Sequence, residues 1–231
     1  GPVRTQVIGE VTKEKEDQAQ RVKEFMNYQI MHVMEEFDPD LDQMLFYLPL
    51  SGSTFKKIYY DASLGRAVSK FVPSDDLVVP YNAVNLEQAE RVTHVIKKSE
   101  NEVRKLQVTG FYRDVDIRTL DEQNELEEKE RQLSGVRKVG YSDGDYTLLE
   151  VHANLDIPGF EREDGIKVPY IVTIDEGSGN VLSIYRNYRE DDDKLRKTQY
   201  FVHYKFLPGL GFYGLGLIHM LGGLSRTATA A

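Results

Sequence analysis

Residues 207–223 read LPGLGFYGLGLIHMLGG, and the reading of this stretch decides the fold class. Gly209, Gly211 and Gly214 spell G-x-G-x-x-G between an apparent strand and an apparent helix. In a dinucleotide-binding fold that pattern ends a parallel strand, and the following helix N-terminus holds a pyrophosphate. Here the preceding strand belongs to a run of strands joined by short polar loops, which reads as an antiparallel meander. Pro208 also interrupts the junction where the phosphate turn would form. The glycines are therefore read as backbone that must pass close to other backbone.

Working outward, the strands ahead of this stretch are YTLLEVHANLDI, VPYIVTI, NVLSIYRNY and KTQYFVHYKF, with DEGSG and REDDDKLRK as turns. They place a meander over residues 141–206, and residues 207–231 form a glycine-rich turn and the start of a helix. Further upstream, KEKEDQAQRVKEFMNYQIMHVMEEF carries Val22, Phe25, Met26, Ile30, Val33 and Phe37 at three-and-four spacing. That is one helix over 13–37 with an apolar face, ended by Asp38-Pro39-Asp40. LDQMLFYLPLSGSTFKKIYYD begins as a second helix and continues as a strand from Phe55 to Tyr60. ERVTHVIKK alternates as a strand, and Ser99 with Glu102 has capping-box spacing for a helix reaching about Val108, stopped at Gly110. A further charged helix is expected from Asp121 to Leu133.

The order of elements is α+β: a helical hairpin, a small mixed β region and helices over 13–140, then the meander, then the C-terminal turn. Residues 1–12 open with Gly1-Pro2, the form of a protease scar, and are expected to be tag remnant and flexible N-terminus. The last residues, SRTATAA, look like a helix stopped in mid-course, so a fragment of a longer protein is expected, with 13–231 as one domain.

The chain of 231 residues has 40% hydrophobic and 29% charged residues, the composition of a globular protein with a core of its own. Without cysteine there is no disulfide, thiolate metal site or cysteine nucleophile. The formal charge of −9 argues against a general nucleic-acid-coating surface. The longest apolar stretch, Phe206–Leu224, is broken by Pro208 and glycines and lacks a flanking basic face, so no membrane partner is expected.

Motifs for chemistry are sparse. LSGST at Leu50–Thr54 lacks the Walker lysine-serine pairing and any G-x-S-x-G elbow, and reads as a turn from helix to strand. REDDDKLRK lacks the alternating acids of a calcium loop and reads as a solvated hairpin loop. His32, His94, His152, His203 and His219 show no metal spacing. His152 and His203 both lie in meander strands and could meet across that sheet. Neither a catalytic constellation nor a cofactor or metal site emerges, so no enzyme is expected. The 14 tyrosines, with no tryptophan, suit a partly wet interface.

Three long stretches resemble one family: LPLSGSTFKKIYYD, FVPSDDLVVPYNAVNLEQAERVTHVIKKSENEVRKLQVTGFYRDV and FLPGLGFYGLGLIHMLGGLSRTATAA. In this order they are similar to portal proteins of tailed bacteriophages or prophages, over about Glu24 to Ala231. The resemblance implies a virion protein at the capsid vertex, one subunit of a head-to-tail connector ring of about twelve. The ring is the channel for packaging and ejecting double-stranded DNA without sequence specificity. Its implied partners are its own copies, the terminase large subunit, capsid or scaffold proteins, and neck or tail adaptor proteins. A portal hydrolyses nothing itself. The chain resembles the wing portion, approaching the stem at its end. Gly214, Gly216, Gly222 and Gly223 would then allow close packing against the next subunit, with Leu217 and Met220 as apolar contacts. The alternative from a different class is a non-enzymatic module that binds a protein or peptide by a sheet edge or aromatic surface.

Overall fold

The computed structural model describes residues 1–62, 64–118 and 146–222. The expected helix Asp121–Leu133 lies outside the described residues, as does Gly223. The fold is α+β, with N-terminal helices followed by a β meander, and the chain divides into two compact units.

The first unit joins residues 1–74 to residues 199–231. Helix α1 spans Lys13–Tyr28, with the Thr12 hydroxyl accepting from the Lys15 amide at its start. It runs into a π-helical turn, Gln29–Val33, closed by the Met34 amide on the Gln29 carbonyl. The helix expected as continuous to Phe37 is thus two helices, because α2 starts at Phe37 and runs to Ser51. Asp38-Pro39-Asp40 lies inside the first turn of α2 and does not terminate a helix. First-turn amides have no acceptor within a helix, so a proline there sacrifices nothing. Gly52 ends α2 in the left-handed region, at φ +83°, its amide bonded to the Leu48 carbonyl.

Strand β1 (Ser53–Asp61) follows at once and turns through Gly65 into β2 (Arg66–Pro73). The third strand of this sheet is β8 (Phe201–Lys205), on the other side of β1, giving the antiparallel order β2-β1-β8. The strand expected to close the meander therefore leaves it. The intervening loop 187–200 is consequently not a hairpin loop but a passage from one sheet to another.

The second unit, Asp75–Thr198, holds five antiparallel strands in the order β3-β4-β5-β6-β7. They are Leu77–Val78, Arg91–Lys98, Tyr146–Leu155, Val168–Asp175 and Val181–Arg186. The last three make the meander. Helix α3 (Glu100–Val108) begins with both halves of the Ser99–Glu102 capping box, and Gly110 follows at φ +76°. Val103, Tyr112, Leu148 and Leu182 are buried together on one face of this sheet, joined by Ile96 and Leu106. On the other face Val168, Tyr170 and Val172 form a second cluster, every other residue of β6 as the strand period requires. Ser183 pairs with Thr173 but Val181 with Ile174, so Leu182 is the extra residue of a β-bulge. The bulge turns Leu182 toward the Val103 cluster, where it is fully buried.

Candidate functional site

Two features stand out, both in the first unit. One is a seam where two glycine-bearing segments far apart in sequence meet. The other is a set of helices whose apolar residues stay exposed.

The seam starts at the α2–β1 junction. Gly52 takes a backbone angle that L side chains rarely adopt, and its carbonyl accepts from the Phe206 amide at 3.0 Å. Ser53, almost fully buried, accepts the Gly214 amide on its hydroxyl at 2.7 Å. The same hydroxyl lies 3.0 Å from Nε2 of His203. Between these anchors, Leu207 and Leu215 pair as an isolated antiparallel bridge, which folds the Pro208–Gly214 loop back on itself.

Residues 214–216 then run directly against residues 50–52. A side chain at Gly214 would overlap the Gly52 carbonyl and come within 2.7 Å of the Leu207 carbonyl. One at Gly216 would overlap the Leu50 carbonyl and come within 2.5 Å of the Gly52 amide. Backbone meets backbone here, so only glycine fits. Gly209 is similarly constrained by the Tyr213 carbonyl, whereas Gly211 faces open space. The amides a phosphate would need are engaged internally: Gly214 to Ser53, Leu215 to the Leu207 carbonyl, and Gly216 to Nδ1 of His219.

An aromatic cluster backs the seam. His203 packs against Phe55 at 4.4 Å, tilted by 30°, and stacks on Phe212 at 4.8 Å between ring centroids. Both phenylalanines are buried. Burial, helped by the nearby Lys205 charge, pushes the His203 imidazole down to about 4, so it is neutral near pH 7. His152 belongs to β5 of the other sheet, where its Nε2 lies 2.7 Å from Glu150. The two histidines that could have met across the meander thus belong to different sheets, because β8 pairs with β1.

On its far side the sheet is closed by charge. The edge strand β2 offers amides outward, and two acids at the start of α2 accept them: Glu36 from Ser69 at 3.1 Å and Asp40 from Phe71 at 2.7 Å. Arg66 completes the arrangement with a 2.7 Å ion pair to Glu36. Burial works to raise the Glu36 carboxyl, but the amides and Arg66 outweigh it and hold the group below its ordinary value. Lys56 extends from β1 under the same helix, almost fully buried, its ammonium 4.2 Å from the Phe37 ring centroid. Its Nζ finds no hydrogen-bond partner among the described residues. Burial pulls its pKa below the usual lysine value, against the pull of Asp40, Glu36 and Asp38.

The exposed features lie on the helices. Every one of the 16 residues of α1 keeps some exposure, and Val22, Phe25 and Met26 are prominent among them. Leu45, Phe46 and Tyr47 of α2 are also exposed. Beyond Gly216 a helix opens at residue 217 and shows Leu217, Ile218, Met220 and Leu221 to solvent. Of the residues expected to pack between subunits, Leu217 and Met220 are thus on the surface, and Gly222 has open space around it. Gly214 and Gly216 are buried, with an intrachain reason for being glycine. Ser53, His203 and Gly52 were not singled out as partners of this loop by the sequence. A glycine directly after α2 was the sole hint.

The charged loop satisfies itself. Asp192 accepts from the Arg196 side chain and from the Lys194 and Arg196 amides, which bring its carboxyl down to about 2. Among the described residues no three His, Asp or Glu side chains gather where they could hold a metal, and no helix is long and apolar enough to cross a membrane. Compared with family models and with curated proteins, the sequence matches none.

Proposed function

We propose that this chain is the wing part of a phage or prophage portal subunit, a structural component of the ring at the capsid vertex. The observation that carries the reading is the exposed apolar side chains of α1, of α2 and of the helix that opens after Gly216. Exposed apolar side chains gathered on helices suit association with another protein surface and supply no group for chemistry. It agrees with the resemblance of the three long stretches to portal proteins, which run through both units. In this reading copies of the chain associate into a ring of about twelve, a closed heterologous assembly. The ring passes double-stranded DNA, and it docks the terminase large subunit, capsid or scaffold proteins, and neck or tail proteins. Leu217 and Met220 are the surface residues of the subunit contact, with Gly222 allowing close approach.

The test is native mass spectrometry and negative-stain imaging of the full-length product of the gene. A ring of about a dozen subunits with a central hole supports the proposal. A well-folded monomer at every concentration overturns it and puts the protein- or peptide-binding module first. That second reading has its own support in α1, whose Asn27 side chain holds the backbone of an extended segment.

A further inference from the structure

Residues 3–7, read from sequence as lying within a tag remnant and flexible N-terminus, run extended along α1. The Asn27 carboxamide accepts from the Val3 amide and donates to the Val3 carbonyl, both at 3.0 Å. The Thr5 hydroxyl donates to the Ala19 carbonyl at 2.8 Å. Val3, Thr5 and Val7 are half-buried while Arg4, Gln6 and Ile8 face solvent, so the segment presents alternate side chains as a strand does. Two bonds from one carboxamide to both backbone groups of one residue read extended main chain, whatever its source.

The seat is incomplete. An open cleft of about 340 Å³ remains beside the arm, lined by Thr5, Val7, Lys15, Gln18, Ala19 and Val22 among others. The connection back into α1 is a reversal through Gly9 at φ +91°, flanked by Ile8 at 97% exposure and Val11 at 59%. An arm held by few buried contacts and a glycine hinge opens at small cost.

We infer that α1 takes residues 3–7 of a second copy of this chain, by exchange of the arm. The second copy's arm carries the same atoms, so the exchanged contact equals the internal one and only the hinge differs. Local concentration then decides which form prevails: dilute chains keep their own arms, and chains held close to one another trade them. The inference does not depend on a portal ring and applies to any assembly that crowds these subunits.

The test mixes two variants of the otherwise cysteine-free chain, Thr5→Cys and Ala19→Cys, one of them mass-tagged, and treats them with a short bis-maleimide. Neither variant can cross-link within itself, so a tagged–untagged heterodimer reports an arm of one chain on α1 of the other. Its yield should exceed both homodimers and grow severalfold over an about tenfold rise in concentration, by mass action. Adding Gly9→Pro, which cannot adopt the closed hinge, should raise the yield further, and in that background, where no internal contact competes, Asn27→Ala should lower it. Heterodimer no more abundant than the homodimers, or indifferent to Gly9→Pro, overturns the inference. As a check independent of the cysteines, a labelled peptide of residues 3–8 should bind a chain lacking those residues far better than the intact chain. Equal or absent binding to both also overturns it. A ring without the cross-link would sink arm exchange alone; a cross-linked dimer that never forms rings would sink the portal reading alone.

Discussion

The amide of Gly214 donates to the hydroxyl of Ser53 at 2.7 Å across 161 residues of sequence. That bond joins the start of β1 to the loop after β8, alongside the Phe206 amide on the Gly52 carbonyl. The two segments approach until backbone touches backbone, so the seam is a folding constraint before it can be anything else.

Gly214→Val and Gly216→Val should each destabilise the chain at the upper end of overpacking costs, about 3 kcal/mol. Urea unfolding checks this. Gly222→Val, with open space around the position, should leave stability within about 0.5 kcal/mol. Any loss of assembly in the Gly222 variant would then concern the interface, whereas losses at Gly214 or Gly216 reflect the fold.

Ser53→Ala removes the acceptor of the Gly214 amide and the partner of His203. Leaving that buried amide unsatisfied should cost about 1–3 kcal/mol. A change below experimental error would mean that the loop finds another acceptor and that the bond is dispensable.

His203 makes stability depend on pH in a definite direction. Its folded value, about 4, lies below the ordinary histidine value of 6.5, so between these the unfolded chain binds the proton and the folded chain does not. Stability from this group is complete above about 6.5, falls as pH drops toward 4, and falls no further below it. Comparing unfolding of the wild type and His203→Phe from pH 7 to 4 isolates it from the carboxylates. The slope of the wild type should be the steeper of the two.

The edge of β2 offers a separate check. Asp40→Ala should cost about 1–2 kcal/mol and speed amide exchange at Phe71, and Glu36→Gln should do so at Ser69. Because the Glu36 carboxyl is held low, its contribution is present above the ordinary glutamate value and is lost as pH falls through the folded one. Unchanged exchange at both amides would show that the acids do not guard this edge.

Lys56→Met should be neutral or stabilising. A buried ammonium with a ring but no hydrogen-bond acceptor among the described residues sacrifices its hydration, and a thioether of similar length fills the same space. A drop in melting temperature of several degrees would show that the charge is balanced by the acids of α2.

Local signals were legible where they act within a few residues. The Ser99–Glu102 capping box, the Gly52 turn, the Gly110 stop and the alternating strands of the meander all depend on neighbours in the chain, and sequence alone determined them. So did the α+β class, since it follows from the order of helical and extended periods. The start of α2 is not legible from Asp38-Pro39-Asp40 because a proline in a first turn lacks only an amide that has no acceptor within the helix, and Asp38 before it takes helical geometry all the same.

Tertiary structure decided the rest. An alternating strand such as FVHYK carries no mark of its partner, so only packing could send β8 to β1 and separate His203 from His152. Likewise, Gly214 and Gly216 advertise a close approach without naming what approaches. Leu50–Gly52 lies more than 150 residues earlier, and such a contact is fixed by the folded backbone. The arm on α1 was invisible for the same reason, because Asn27 recognises main chain, which every residue shares.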